Sequence, residues 1–211
     1  MPQVIPETES LQVVVVGSFN PAIFHPQWFL REGLIGADDE NKANIKVVAP
    51  EGTEVTIGGV NIKCLSEQLI FETVDISYTE KLFDILTSSL IKLPHTPCVA
   101  CGINPRAHYR VQTEDYWHKI GHTLAPKDDV WNVLYTKPGM QAVTIKSVRE
   151  GDYPGEINTT VQPSALVNPG IFVQANFHFP VLNADERETS IQVTDYLRSE
   201  WKLGISEARR V

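Results

Sequence analysis

His118 and His122 stand four residues apart in a segment of helical spacing, so both rings project from one helix face and reach a common Zn²⁺ at about 2.0–2.1 Å. They supply half of a metal site. His108 and Glu114 are candidates for a third ligand, and no His-Glu-x-x-His pattern adds a general base. Cys98-Val-Ala-Cys101, preceded by His95, has the spacing of a zinc knuckle or a redox pair. No second cysteine pair follows, and the four residues read as a strand in which positions three apart face opposite ways, so the pair reads as strand packing. The most basic stretch, Asn104-Pro-Arg106-Ala-His108-Tyr-Arg110, gathers two guanidinium groups, an imidazole and a phenol ring. Arginine matches carboxylate or phosphate in a bidentate fork, which makes Arg106 and Arg110 candidates for holding an anion or a nucleic-acid backbone. The structural alternative pairs them with Glu114 and Asp115.

The most informative pattern is an alternation. In Ile171-Phe-Val-Gln-Ala-Asn-Phe-His-Phe179, the odd positions Ile171, Val173, Ala175, Phe177 and Phe179 take one face of a strand, and Phe172, Gln174, Asn176 and His178 the other. Residues 156–162 alternate likewise, with Asn158, Thr160 and Gln162 opposite Ile157, Thr159 and Val161. One sheet face is thus rich in amides and hydroxyls and poor in charge. Such a surface recognises a partner, a polar ligand or base edges by hydrogen bonds, although an uncovered antiparallel sheet is polar on its outer side in any case. The candidate binding residues are therefore Asn158, Thr160, Gln174, Asn176 and His178 on this face, with Arg106 and Arg110.

The elements that position them follow from period and punctuation. Residues 11–16 form a β-branched run before Gly17, and residues 24–35 then change to near-helical spacing up to Gly33 and Gly36. A polar loop over residues 37–44 leads to four runs, 45–49, 54–57, 60–65 and 69–74, separated by Pro50-Glu-Gly52 and by Gly58-Gly59, a two-residue hairpin signal. Ser77-Tyr-Thr-Glu80 has the capping-box form, and Leu82, Leu86 and Leu90 mark the buried face of the helix it starts. The order then recurs: a strand at 98–102, a helix capped by Thr113 and reaching Pro126, four runs at 130–135, 140–149, 156–162 and 171–179, and a helix with Val193, Leu197 and Trp201 four apart. Asn183-Ala-Asp-Glu186 would cap that last helix and Gly204 would supply its left-handed end. Gly17-Ser-Phe-Asn20-Pro21-Ala22 ahead of Trp28 echoes Gly102-Ile-Asn104-Pro105-Arg-Ala107 ahead of Trp117. The expected fold is α+β: two tandem β-α-β4-α units, residues 11–94 and 95–211, behind a flexible arm at 1–10, forming a pseudo-symmetric antiparallel sheet with helices on one face.

Composition narrows the function classes. The net charge of −8 is uneven: residues 1–94 carry 6 basic and 13 acidic side chains. Nucleic-acid binders usually present a basic field that releases counterions, so the charge disfavours phosphate backbones and suits a basic partner surface. No apolar run approaches the ~20 residues of a membrane span, and residues 1–10 lack the basic and apolar regions of a secretory signal. Three cysteines at irregular spacing suit a reducing compartment, so a cytoplasmic location is expected. No glycine-rich phosphate loop, Gly-x-Ser-x-Gly elbow or paired catalytic carboxylates appear.

The order β-α-β4-α used twice resembles the TATA-binding-protein-like fold, a saddle whose sheet, in the transcription factor of that family, binds the DNA minor groove with phenylalanine wedges. The resemblance spans roughly residues 11–203. The basic stirrups and Ser-Ser-Gly-Lys turns are absent here and the charge has the opposite sign, so DNA binding is not implied. Strings such as Gly17-Ser-Phe-Asn-Pro-Ala-Ile-Phe-His-Pro-Gln-Trp-Phe29, His95-Thr-Pro97 and Ile120-Gly-His-Thr-Leu-Ala-Pro126 resemble a sporadically distributed family of uncharacterised bacterial proteins. That resemblance implies bacterial origin, and its patchy distribution associates it with mobile or phage-defence genes. The expectation is a non-enzymatic recognition or scaffold subunit, without cofactor or metal, whose partner is another protein or a second copy of itself. A nucleic-acid-binding saddle is the alternative, and a metal-dependent enzyme using His118 and His122 a second.

Overall fold

Nine extended segments, rich in Val, Ile, Thr and Phe, pair antiparallel into one sheet: β1 (Thr8–Gly17), β2 (Asn44–Ala49), β3 (Gly52–Ile57), β4 (Val60–Leu65), β5 (Gln68–Thr73), β6 (Cys98–Arg110), β7 (Val143–Arg149), β8 (Gly155–Pro163) and β9 (Gly170–Pro180). Their order across the sheet is β2-β3-β4-β5-β1-β6-β9-β8-β7. The architecture is α+β. The computed structural model describes residues 5–128, 130–150, 152–182 and 188–208. Among these residues six α-helices accompany the sheet, α1 (Pro26–Arg31), α2 (Ala37–Asn41), α3 (Thr79–Lys92), α4 (Glu114–Leu124), α5 (Trp131–Leu134) and α6 (Thr189–Ala208). None of the described helices is long and apolar enough to cross a membrane.

Strand alternation divides the sheet into two unlike faces. Val13 and Val15 of β1, Ile62 of β4, Phe71 of β5, Ile103 of β6 and Phe177 of β9 are all buried on one face. Against them pack Leu82, Ile85, Leu86 and Leu90 of α3 and Val193, Tyr196, Leu197 and Trp201 of α6. The two helices also meet each other, with the rings of Phe83 and Trp201 4.8 Å apart. Polar bonds fix where α6 begins: Ser190 Oγ donates to the carbonyls of Leu93 and Pro94 at 3.1 and 2.9 Å, and the Cys98 amide donates to Thr189 Oγ1 at 2.7 Å. Arg149 of β7 reaches α6 through an ion pair with Glu200 and lies 5.4 Å from the centre of the Phe179 ring.

The β3–β4 hairpin takes the form its Gly58-Gly59 link requires, since both glycines have positive φ, 52° and 85°, as a type I′ turn demands. Thr113 also caps as expected: its hydroxyl accepts the Tyr116 amide at 3.2 Å.

Several expectations need correction. The run at 130–135 is not a strand but the single turn α5, closed by the Tyr135 amide on the Trp131 carbonyl at 2.8 Å. A six-residue apolar run has no period that separates a helical turn from a strand. The second half therefore carries three strands after its first helix where four were expected, and β7 is left at the sheet edge. Ser77 does not form a capping box. Asp75 accepts the Ser77 amide at 2.9 Å and starts a short 3-10 turn, Ile76–Tyr78, from which α3 continues without a side-chain cap. Gly204 does not end α6, which runs on to Ala208; the glycine is buried against Ile103. Residues 37–41 are helical, and residues 8–10 of the expected arm belong to β1, because the long β6 offers them partners from Thr8↔His108 onward. The cap expected at 183–186 lies outside the described residues.

Leu86 and Leu197 are both fully buried at the helix–sheet junction. Replacing either by Ala leaves a cavity and should lower stability by about 2–5 kcal/mol. Chemical denaturation of the two variants beside the parent measures this, and superimposable transitions would contradict the packing described.

Candidate functional site

The face opposite α3 and α6 carries the candidate residues, and sheet register aligns them. Asn44 pairs with Thr56, Thr56 with Asn61, Asn61 with Glu72, Glu72 with Gln12 and Gln12 with Asn104. The pairs Gly102↔His178 and Arg106↔Gln174 bracket Asn104 and set it opposite Asn176, which pairs with Asn158, which pairs with Lys146. Residues opposite each other in an antiparallel ladder share a face and bring their Cβ atoms to about 4.5–5.5 Å. One polar row, mostly amide, thus crosses all nine strands. Gln174↔Thr160 and His178↔Glu156 form parallel rows beside it. Asn158, Thr160, Gln174, Asn176 and His178 are each partly accessible.

The two arginines are engaged by the chain itself. Arg106, in the middle of the face, donates from Nη1 to Glu72 Oε1 at 3.0 Å and from Nη2 to Gln12 Oε1 at 2.8 Å. Arg110 donates from Nε to Glu7 Oε1 at 2.6 Å. Their partners are therefore Glu72 and Glu7, not Glu114 and Asp115, because the segment 104–110 is the outer part of β6 and lies between β1 and β9, so that Arg106 reaches across β1 to Glu72 of β5 and Arg110 meets the residue just ahead of β1. Arg106 thus has both Nη groups engaged, whereas Arg110 holds Glu7 through Nε alone and its Nη1 reaches only the Asn168 carbonyl, at 3.4 Å. The hydrogen-bonding capacity left on the face is mostly amide. Among the described residues, Asn104 Oδ1, Asn176 Oδ1 and Arg106 Nε are buried without a partner. Each such atom costs roughly 1–3 kcal/mol until a complementary group reaches it.

Gln12, Asn61, Glu72 and Asn104 are members of the row that the sequence reading passed over. Gln12 is the lone polar residue inside Leu11–Val16, and Asn61 alternates with Val60 and Ile62, so the signal was present in both strands. Asn104 was hidden by Pro105, which reads as a strand end but sits inside β6 where the β6–β9 ladder skips residues 104 and 105 without changing register.

His118 and His122 both lie exposed on α4, and among the described residues no group of three His, Cys, Asp or Glu side chains is placed to hold a metal. His108 is on β6, where its Nδ1 lies 2.8 Å from Ser164 Oγ and its ring packs on Phe172; burial lowers its pKa. Cys98 and Cys101 do not face opposite ways: a bulge at Val16/Gly17 shifts the register between Ala100 and Cys98, and both thiols are buried and unpaired. Burial pushes the thiols of Cys64 and Cys98 up to about 12 and raises that of Cys101 further, with Cys98 adding to it, so these are packing cysteines and not nucleophiles.

Compared with known proteins, the chain matches no family model and no curated protein.

The raised thiols make stability depend on pH in one direction. An unfolded cysteine ionises near 9.0, a folded one here near 12, so burial favours the folded state fully below pH 9 and the advantage is lost as pH rises toward 12. The melting temperature should fall between pH 8.5 and 10.5 and fall less in a Cys64→Ala variant compared with its own value at pH 7. At pH 8, a thiol reagent should label none of the three cysteines in the folded chain and all three in denaturant. Rapid labelling of the folded protein would show that the thiols are accessible.

Proposed function

We propose that this chain is a non-enzymatic recognition or scaffold subunit, of bacterial origin, that engages another protein through its amide-rich open sheet face. The observation that carries the reading is the row from Asn44 to Lys146, whose centre holds buried amide oxygens on Asn104 and Asn176 that the described residues leave without donors. Interfaces of this kind are specific because a wrong partner leaves such atoms unpaired. The acidic first half supplies a field that attracts a basic partner. The strand order, which runs outward from the β1–β6 pair through β5 on one side and β9 on the other, is the order a duplicated saddle of the TATA-binding-protein-like kind would have with one outer strand replaced by α5. A cytoplasmic location fits three unpaired thiols. Nucleic acid is the less favoured partner, since Arg106 and Arg110 are already neutralised by Glu72 and Glu7.

The test is the double variant Gln174→Ala/Asn176→Ala. Gln174→Ala should change folding by less than about 0.5 kcal/mol, Asn176→Ala, which removes the buried unpaired Oδ1, should not lower stability, and capture of a partner protein from the source cell's lysate should be lost. A short duplex and a single-stranded oligonucleotide serve as the second arm. Salt-dependent binding to either, weakened by charge reversal at Arg106 and Arg110, would favour the nucleic-acid reading. Full retention of the captured partner by the double variant would remove the sheet face from the interface.

A further inference from the structure

A cleft of about 440 Å³ lies away from the open sheet face, between α4, the segment 132–140 that follows it and the facing ends of β8 and β9. Its apolar floor is made by Trp117, Ile120, Met140, Pro163 and Ile171. Trp117 is fixed there, its indole N–H donating to the Gly170 carbonyl at 2.8 Å, and its ring meets that of His118 edge-on at 5.0 Å. Four nitrogen-bearing side chains that favour anions line the same cleft: His118, His122, Lys127 and Lys137. No Asp or Glu is among the described lining residues. In a chain with 26 acidic against 18 basic residues, a concave surface of this composition is out of keeping with its surroundings.

Lys127 is the informative member. It is 6 % exposed, yet among the described residues it forms no ion pair. Among the described residues its ammonium hydrogen-bonds the carbonyls of Ala125 and Gly121 alone, at 3.3 and 3.4 Å, which are long for charged hydrogen bonds. Those carbonyls end α4, and a cation there is favoured by the helix dipole, but two weak acceptors do not match three donors on a desolvated charge. A buried lysine among described lining residues that include no acid, beside an apolar floor, is complementary to one class of molecule.

We propose that this cleft is a small-molecule site for an organic anion, with an apolar or aromatic body against Trp117, Ile120 and Ile171 and a carboxylate or phosphate headgroup at Lys127. His122 and Lys137 flank the headgroup. The volume falls within the range of roughly 300–1,000 Å³ usual for such sites. The site is independent of the sheet face and needs no metal, so the two imidazoles that suggested half a zinc site act here as donors to the anion.

The experiment uses 1-naphthoate, 1-naphthyl phosphate and neutral 1-naphthamide as probes, titrated calorimetrically into the full chain. At least one anion should bind and raise the melting temperature, while the amide binds about tenfold more weakly or not at all; the preferred anion identifies the headgroup. Lys127→Met should reduce anion affinity by about tenfold or more, the effect of removing a charged donor, and Lys119→Met, on the same helix but outside the cleft, should leave it unchanged. Should Lys127→Met fail to fold, Lys137→Met with His122→Asn is read in its place and should also weaken binding. Equal affinity for amide and anions, unchanged affinity in these variants, or no binding by any probe at millimolar concentration would overturn the proposal.

Discussion

The antiparallel pairing of β1 with β6 is the constraint on which the rest of the molecule depends. Its register runs from Thr8↔His108 to Gly17↔Cys98 and joins two groups of strands that would otherwise be separate small sheets, each with an open edge. Because β6 lies against β1 on one side and β9 on the other, the core residue Ile103 connects the burial of Val13 to that of Phe177. The helix layer follows the same seam. α3 follows β5 and α6 covers β6, so joining the two groups of strands also brings Phe83 against Trp201. Apolar burial on this scale, with side chains of α3 and α6 inside a shared core, is the main favourable contribution to folding.

The same seam makes the polar row possible. Alternation sends every second residue of each strand away from the helices, but only a fixed register aligns those residues across strands. Gln12 and Asn104 meet on the seam itself, and Arg106, one pleat away, bonds Gln12 and Glu72 together from the second half to the first. An arginine and a carboxylate at part-exposed positions add little net stability, but they hold the neighbouring amides in place. A one-residue slip of β1 would turn Val13 and Val15 away from the helices and bring Gln12 into the core, so the cost of the slip protects the site as well as the core.

Much of this was legible in the sequence, for identifiable reasons. Residues 171–179 and 156–162 alternate cleanly because β8 and β9 each have one core face and one open face. Gly58-Gly59 and Thr113 act locally, with no need of tertiary context, and both behave as their chemistry dictates. What was not legible depends on neighbours. Pro105 breaks a strand in isolation and is accommodated because β1 supplies a partner at Leu11 where β9 does not pair. Residues 130–135 have the composition of a strand and no strand to pair with. The partners of Arg106 and Arg110 are more than thirty and a hundred residues away in sequence, at Glu72 and Glu7, which no local pattern indicates.

The position of β1 at the centre of the sheet has a consequence for biosynthesis. Made before the other eight strands described, it finds β5 as its neighbour once residue 73 has emerged, but its other edge stays bare until β6 has been translated. During that interval the nascent chain presents an open edge of Val13, Val14, Val15 and Val16, the kind of surface that recruits foreign strands. Vectorial synthesis thus leaves the first half incomplete by design of the topology, and the second half, emerging from the ribosome, serves as the cover that turns a vulnerable rim into the interior of the sheet.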